Sequence, residues 1–304
     1  MVAFIAKDRL PSTTYHLPLV VIVGPTASGK TSLAIKIAKD FGGEIICADS
    51  RSIYKGLDIG TAKPTVGEQR EVKHWGLDLV GPGERFTVAD FKKYANAAID
   101  DIRSRGKIPF IVGGTGLYID GVILDYKFTS SEVVFNRGSF ESLSIDELHD
   151  YCRKHNISLP ENSKNIRYVI RAIERNGINN TRNAKPNSNT IVVGISTERS
   201  LLRQRIKLRV EQMFNNGIVD ETNKLGELYG WDSEPLTGNV YRIVRDLIDG
   251  RVSLEEAKIK AEIQDWRLAK RQITWFRRNS FIKWCSLDDA EVYIGQILAK
   301  QARS

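Results

Sequence analysis

Residues 24–31 read Gly-Pro-Thr-Ala-Ser-Gly-Lys-Thr, and this stretch decides which fold the rest of the sequence can adopt. It follows the apolar run 19–23, which predicts a buried strand, and precedes a helix-patterned segment that reaches Asp40. A glycine-rich turn between a strand and a helix directs backbone N–H groups and a helix N-terminus at a bound oxyanion. The stretch therefore predicts a phosphate-binding loop (P-loop), in which Lys30 supplies positive charge and Thr31 offers a hydroxyl to a metal ion.

The alternation of strand and helix patterns continues beyond the P-loop. Strands are predicted at 44–48, 108–112 and 190–194, and a helix at 89–105. Further helices are predicted at 199–214, 218–229, 237–249 and 253–278. The pattern predicts an α/β fold, a P-loop nucleoside-triphosphatase-like parallel sheet flanked by helices, with a helical C-terminal part.

A polar segment interrupts this alternation between residues 125 and 164. It contains one short helix, whose start Ser144-Ile-Asp-Glu147 has the sequence of a capping box. We expect an inserted, mainly helical lobe at 125–164. An N-terminal extension is expected at 1–18, and the core of the protein is expected at 19–124 and 165–304.

Composition limits the classes of protein to which the chain can belong. It has 304 residues, of which 41% are hydrophobic and 27% charged, and no uninterrupted apolar run long enough to cross a membrane. No export signal is evident near the N-terminus, and the widely spaced Cys47, Cys152 and Cys285 form neither a disulfide framework nor a zinc motif. These features predict a cytoplasmic protein without a membrane partner. The net charge of +8 favours a polyanionic partner.

An acidic residue, Asp49, ends the second predicted strand. Because the carboxyl ends of strands in an open parallel sheet face the ligand, we expect Asp49 beside the phosphate site. Its carboxylate can hold Mg²⁺ through water, accept a proton from an attacking group, or cap the next turn. The strand 108–112, in contrast, leads into Gly113-Gly-Thr-Gly116, where an NTP-hydrolysing protein usually carries a second acid. This difference disfavours ATPases and motor proteins.

Two further segments carry a resemblance to a known family. They are Asp49-Ser-Arg-Ser-Ile-Tyr-Lys-Gly-Leu-Asp-Ile-Gly-Thr-Ala-Lys-Pro64 and Val112-Gly-Gly-Thr-Gly-Leu-Tyr118. With the P-loop, they resemble the motifs of the bacterial tRNA dimethylallyltransferases, also called tRNA isopentenyltransferases: G-P-T-x-S-G-K-[ST], D-S-x-x-x-Y-[KR]-G-x-D-I-G-T-A-K-P and V-G-G-T-G-L-Y. Residues 202–217 resemble more loosely the family's R-I-x-x-R-x-x-x-M-x-x-x-G helix, and residues 269–277 resemble its A-K-R-Q-x-T-W-F-R motif.

The resemblance implies a reaction, its partners and its catalytic residues. The reaction is transfer of a dimethylallyl group from dimethylallyl diphosphate to N6 of adenosine 37, next to the anticodon of tRNA. The implied partners are dimethylallyl diphosphate, the anticodon stem-loop and Mg²⁺ as cofactor, and we expect a monomer. The core at 19–124 and 165–304 would be catalytic, and the inserted lobe at 125–164 would bind RNA. Lys30 would neutralise the leaving diphosphate, Thr26 would donate to its bridging region, and Asp49 would take the N6 proton.

The predicted contacts extend beyond these catalytic residues. The predicted diphosphate ligands are the P-loop and one arginine of a later motif: Gly24, Pro25, Thr26, Ala27, Ser28, Gly29, Lys30, Thr31 and Arg242. The predicted tRNA contacts lie after the second strand, in the glycine turn and on basic helices: Asp49, Ser50, Arg51, Ser52, Thr115, Arg167, Arg171, Lys270 and Arg271. The helical residues are predicted because basic side chains that recur on one face, or stand beside aromatic ones, suit an RNA backbone.

Three later motifs depart from the family pattern. The family's A-[IV]-G-Y-[KR]-E appears as Gly238-Asn-Val-Tyr-Arg-Ile243, its N-D before the R-x-I-R-A-[IL]-E helix appears as Lys164-Asn165, and its T-R before the A-K-R-Q run appears as Asp265-Trp266. Three alternatives stay open beside the implied reaction. They are a P-loop small-molecule kinase, a non-catalytic tRNA-binding descendant of the family, and an enzyme that prenylates free adenine nucleotides.

Overall fold

The computed structural model describes residues 17–128, 138–160, 162–176 and 181–301. Contacts divide the chain into a larger unit, built from residues up to 123 and from 185 onward, and a smaller unit within 124–184. The predicted N-terminal extension lies almost wholly outside the described residues. No described helix is long and apolar enough to cross a membrane.

A parallel sheet forms the centre of the larger unit. Its strands are β1 (Leu19–Val23), β2 (Gly43–Ala48), β3 (His74–Trp75), β4 (Ile108–Gly113), β5 (Thr190–Ile195) and β6 (Lys283–Cys285). Their order is β3-β2-β4-β1-β5-β6, and every neighbouring pair is parallel. The predicted parallel sheet is confirmed. The edge strands β3 and β6 were not predicted, because strands this short have too few positions to show a periodic pattern.

Helices flank the sheet and build the C-terminal part. They are α1 (Lys30–Asp40), α2 (Val66–Glu71), α3 (Val88–Ser104), α4 (Gly116–Ile123), α5 (Gly138–Glu141), α6 (Ile145–Lys154), α7 (Ile166–Glu174), α8 (Arg199–Asn215), α9 (Ile218–Tyr229), α10 (Asn239–Ile248), α11 (Leu254–Phe276) and α12 (Leu287–Gln301). A 3-10 helix, Glu234–Thr237, precedes α10. The capping boxes predicted at Ser144 and Ser253 are both formed, which fixes the starts of α6 and α11.

The core explains why the central strands are apolar along their whole length. β1 is buried at all five positions, and β2 and β4 at all six, because a parallel sheet is covered on both faces. One cluster joins these strands to Leu33, Ile37 and Ala38 of α1 and to Ile294 and Leu298 of α12. The last helix that the structure describes therefore belongs to the same core as α1, the helix that follows the P-loop.

The smaller unit has its own apolar cluster. Leu148 and Cys152 of α6 pack with Val169, Ile170 and Ile173 of α7. The unit therefore reaches residue 184 instead of the predicted boundary at 164, because the buried face of α7 has its partners in α6. The basic residues of α7 belong to this unit rather than to the core in which we had expected them.

The topology brings three turns to one edge of the sheet. β2, β4 and β1 are adjacent, and all three point the same way. Asp49 follows β2, the glycine turn Gly113–Gly116 follows β4, and the P-loop follows β1. The carboxyl ends of the three central strands therefore carry the residues for which the sequence predicts chemistry.

Candidate active site

The P-loop has the backbone geometry of an anion cradle. Gly24 and Gly29 have φ of 149° and 85°, a region that residues with a Cβ rarely adopt. Gly29 is the N-cap of α1, and no side chain caps this helix. The first N–H groups of α1 are consequently left for an outside acceptor, which is the property that suits a helix N-terminus to phosphate.

Lys30 folds back over the cradle. Its Nζ donates to the carbonyl oxygen of Pro25 at 2.5 Å and lies 3.5 Å from Oγ of Ser28. Burial lowers the pKa of Lys30 to about 7, the positive charge of Arg209 acts in the same direction, and Asp49 opposes them. A bound diphosphate would favour the protonated amine, since a nearby anion raises the pKa of an ammonium group.

Thr26 is held by two residues from distant helices. Its backbone N–H donates to Oε1 of Gln272 on α11 at 2.7 Å, and its hydroxyl accepts a hydrogen bond from the guanidinium of Arg209 on α8. A second arginine of α8, Arg205, donates to the carbonyl oxygen of Ser28 at 3.4 Å. The cradle thus combines one lysine with two arginines. Our predicted diphosphate ligands included neither arginine, nor Gln272.

The sequence did contain a signal for the two arginines. Arg205 and Arg209 are the arginines of the segment that resembles R-I-x-x-R-x-x-x-M, and their spacing of four residues puts them on one face of α8. Basic side chains that recur on one helix face suit an RNA backbone. The structure instead turns this face towards the P-loop.

Asp265 lies behind Arg209. Its Oδ2 is 3.6 Å from Nε of Arg209, and neither atom has a hydrogen-bond partner in the described chain. Burial raises the pKa of Asp265, and the charge of Arg209 lowers it. The carboxylate therefore restrains Arg209 electrostatically, at a position where the family pattern has a threonine.

Asp49 occupies the predicted place at the end of β2. Its Oδ1 accepts hydrogen bonds from the backbone N–H groups of Arg51 at 2.8 Å and Ser52 at 3.4 Å. The capping role that we had left open is therefore present. It uses only one carboxylate oxygen, and Oδ2 accepts no hydrogen bond from a described residue. The geometry lets the same side chain fix its turn and offer a free oxygen.

Thr115 connects the ends of β2 and β4. Its Oγ1 accepts from the backbone N–H of Ser50 at 3.0 Å, and its own N–H donates to the carbonyl oxygen of Ala48 at 3.2 Å. Ser50 and Asp49 are adjacent in the chain, so Thr115 helps to hold the turn that carries Asp49. Of the other predicted tRNA contacts in this turn, Arg51 donates to the carbonyl oxygen of Glu234 at 3.0 Å. Ser52 is 5% exposed, so it is not presented to a partner at the surface.

The predicted diphosphate contact of Arg242 stays a prediction. The side chain is exposed on α10, whereas its neighbour Tyr241 is buried and donates to Oε1 of Glu221 at 2.9 Å. Glu221 also accepts three backbone N–H groups, from Asp58, Ile59 and Gly60, at 2.7 to 3.0 Å. The sequence did not indicate this clamp on the D-I-G segment, because its partners come from separate parts of the chain.

Lys270 and Arg271 are exposed on α11 and line a groove of about 580 Å³. The groove also contains Trp275, whose ring lies 4.1 Å from the Arg278 guanidinium. Nε1 of Trp275 donates to Oδ2 of Asp120 on α4 at 2.9 Å, which fixes the ring against the core. The resulting surface is basic and carries one aromatic face, a combination that suits an RNA backbone.

Arg167 and Arg171 lie one turn apart on α7 in the smaller unit, and both are exposed. They occupy the polar face of α7, whose apolar face is buried against α6. The structure therefore leaves these two predicted tRNA contacts accessible.

Comparison with known proteins identifies the family. The sequence model of the IPP transferase family matches residues 52–279, and that of isopentenyl transferases matches residues 17–78. The tRNA dimethylallyltransferase of Geobacillus thermodenitrificans is 39% identical over 298 residues, covering 90% of this chain and 92% of that protein. The chain belongs to the tRNA dimethylallyltransferase family. The resemblance seen in the motifs is thereby confirmed.

Solved structures of tRNA dimethylallyltransferases share the fold. The tRNA isopentenylpyrophosphate transferase of Bacillus halodurans superposes with a TM-score of 0.72 at 35% identity, covering 94% of this chain and 98% of that one. A eukaryotic dimethylallyltransferase, captured acting on tRNA, superposes with a TM-score of 0.71 at 25% identity, covering 88% and 73%. The P-loop architecture predicted from the sequence is therefore the architecture of this family.

Proposed function

We propose that the protein transfers the dimethylallyl group of dimethylallyl diphosphate to N6 of adenosine 37 in tRNA. One arrangement carries the proposal: a diphosphate cradle with three cationic side chains lies beside a carboxylate that has a free oxygen. The cradle and Asp49 follow strands on either side of β4, and the charge of Asp49 raises the pKa of Lys30. A leaving diphosphate and an attacking amine need this pair of sites at close range.

The donor half acts by stabilising charge. As the allylic C–O bond breaks, negative charge grows on the departing pyrophosphate. Lys30, Arg205, Arg209 and the free N–H groups of α1 provide positive charge that needs no rearrangement during the reaction. Such preorganised groups stabilise a transition state more than water does. The hydroxyl of Thr26, held by Arg209, can donate its own proton to the bridging region of the diphosphate.

Mg²⁺ fits this site only together with the substrate. Among the described residues, no group of three His, Cys, Asp or Glu side chains could hold a metal ion by itself. Mg²⁺ commonly keeps few protein ligands and binds substrate phosphates. Thr31, in the first turn of α1, would hold it with the diphosphate oxygens, and the ion would supply further charge neutralisation to the leaving group.

The acceptor half acts by orientation and proton removal. N6 of adenine is a weak nucleophile, so it must be aimed at the allylic carbon and lose a proton as the C–N bond forms. Oδ2 of Asp49 is available for that proton, because Oδ1 is occupied by the turn. Thr115 holds the adjacent residue Ser50 at 3.0 Å, which limits the freedom of the carboxylate.

The RNA partner is supported by basic surfaces in both units. Lys270 and Arg271 line the groove beside Trp275, and Arg167 and Arg171 are exposed on α7. We propose that these surfaces contact the phosphates of an anticodon stem-loop, whose strained loop lowers the cost of extruding the target base. A monomeric cytoplasmic enzyme would meet this substrate directly.

The test is a transfer assay with unmodified tRNA, dimethylallyl diphosphate and Mg²⁺, followed by mass spectrometry of the nucleosides. Isopentenyladenosine should form, and Asp49→Asn should lower the rate about 10²–10⁴-fold. Asparagine keeps an Oδ1 that can accept from Arg51 and Ser52, so the turn survives while the base is lost. Asp146→Asn, a change to an exposed residue in the first turn of α6, is the matched control.

Each alternative leaves a distinct signature in the same assay. A kinase would consume ATP and phosphorylate an acceptor, and an enzyme for free nucleotides would prenylate AMP in preference to tRNA. A non-catalytic descendant would bind the tRNA and yield no isopentenyladenosine. Any one of these results in place of the tRNA product would overturn the proposal.

A further inference from the structure

Gln272 is buried at the point where α11 reaches the sheet edge. Its side chain is 9% exposed, and its Oε1 accepts the backbone N–H of Thr26 at 2.7 Å. The two residues are 246 positions apart in the chain. This hydrogen bond turns one N–H of the P-loop away from the cradle and towards α11, so it serves the placement of Thr26 rather than the anion.

The same side chain lies against the glycine turn. A Cβ built on Gly114 would be 2.1 Å from Nε2 and 2.9 Å from Cδ of Gln272. The φ of Gly114 is outside the left-handed region, so the backbone itself would accept another residue. Only the close approach of Gln272 requires glycine here.

Gln272 consequently touches both halves of the site. On one side it holds Thr26, whose hydroxyl contacts Arg209. On the other side it packs on Gly114, next to Thr115, whose Oγ1 accepts the N–H of Ser50 beside Asp49. A single rigid amide therefore sets the spacing between the cradle and the turn that carries the carboxylate.

We propose that Gln272 is a positioning residue that aligns the diphosphate cradle with the acceptor turn. This inference rests on the proposed function. Gln272 would act through Thr26 and Gly114, without touching either substrate. Loss of the amide leaves each half intact but lets their separation drift. Because a misplacement of 1 Å can cost about 10²-fold in rate, the chemical step should suffer while each substrate still binds.

A purely structural role predicts something different. If Gln272 only satisfied a buried N–H, its removal would lower the folding stability of the protein. The folded fraction would then turn over at the normal rate. If it served the cradle alone, pyrophosphate affinity would fall in step with turnover. The transfer rate, together with the affinity for each substrate measured alone, therefore distinguishes the three roles.

The experiment uses the full chain with Gln272→Met, which keeps the volume of the side chain and removes the acceptor. Single-turnover transfer should fall about 10–100-fold at saturating substrates. The dissociation constants of pyrophosphate with Mg²⁺, and of an anticodon stem-loop, should each stay within about twofold of the wild type. Gln264→Met, on the same helix, is the matched control. Variants that retain the wild-type rate, or lose pyrophosphate affinity in proportion to the rate, would overturn the proposal.

A double-mutant cycle tests the contact itself. Gly114→Ala should slow transfer as much as Gln272→Met does, because its Cβ displaces the amide. In a Gln272→Ala background the displaced group is gone, so Gly114→Ala should add almost no further loss. If the rate losses of Gly114→Ala and Gln272→Ala multiply in the double variant, the role of this contact is refuted. A wild type that makes no isopentenyladenosine, yet binds pyrophosphate, would instead show that the proposed function has failed, and the inference would fall with it.

Discussion

The P-loop and the glycine turn are similar in composition and follow adjacent strands, but they use glycine for different reasons. Gly24 and Gly29 of the P-loop have φ of 149° and 85°, which residues with a Cβ rarely adopt. No φ of the glycine turn lies in the left-handed region. There, added Cβ atoms would stand 2.1 Å from Ala48, Gln272 and Trp275 at positions 113, 114 and 116, respectively. One loop is shaped for a ligand, and the other is shaped for its protein neighbours.

We expect the largest effect on the transfer rate at Lys30, the lysine of the P-loop. Lys30→Met should lower the transfer rate about 10²–10³-fold, because charge on the leaving diphosphate loses a preorganised partner. Thermal stability should not fall, since Lys30 is desolvated in the folded state. Single-turnover assays and thermal unfolding measure the two quantities. A rate within about tenfold of the wild type would show that the arginines suffice.

The pH dependence of stability gives Lys30 a second signature. Its pKa is about 7 in the folded protein and 10.5 in an unfolded reference, so unfolding takes up a proton between these values. The free energy of unfolding should therefore rise with pH across that window, and Lys30→Met should lack this part of the rise. Urea unfolding of both proteins at several pH values isolates the difference. Parallel pH curves would contradict the lowered pKa.

Paired glycine substitutions test the comparison directly. Gly29→Ala puts a residue with a Cβ at φ 85°, which should lower the free energy of unfolding by about 1–2 kcal/mol. The distorted cradle should bind pyrophosphate about tenfold more weakly. Gly116→Ala meets Cδ1 of Trp275 at 2.1 Å and should cost about 1–3 kcal/mol of stability while leaving pyrophosphate affinity within about twofold. Urea unfolding and titration calorimetry report the two properties. Equal losses of affinity would remove the distinction between the loops.

The smallest effect is expected at Arg242. Because its side chain is exposed on α10, Arg242→Ala should change the KM for dimethylallyl diphosphate by less than about twofold. Arg209→Ala should raise that KM about tenfold or more, since it removes a guanidinium at Thr26. Steady-state kinetics of the two variants decide which arginine serves the donor. A larger effect at Arg242 would support the diphosphate contact predicted from the sequence.

The features that could be predicted from the sequence are those encoded in short, continuous segments. The P-loop, the turn after β2 and the capping boxes at Ser144 and Ser253 each depend on residues close together in the chain, and each is present in the structure. Arg242 shows that a shift of one position along a helix decides whether a side chain is buried or exposed. It follows Tyr241 directly, and one residue turns a side chain by about 100° around the axis, so Tyr241 is buried while Arg242 is exposed.

Contacts between distant segments could not be predicted from the sequence in this way. Gln272 meets Thr26 across 246 positions, and Glu221 clamps Asp58, Ile59 and Gly60 from another helix. No spacing or period in the chain expresses such contacts, because they depend on how α9 and α11 pack. The motifs around them were visible as resemblance, but their physical purpose required the coordinates.

The place of Leu287 has a consequence for biosynthesis. Its Cδ1 would lie 2.9 Å from a Cβ at Gly29, and α12, which it begins, packs in one core with α1. The P-loop is thus packed against a helix that the ribosome makes much later. A nascent chain stalled after residue 250 should therefore bind no pyrophosphate, although its P-loop motif has long emerged. Maturation of the cradle would be timed by the synthesis of α12 rather than by the emergence of the P-loop.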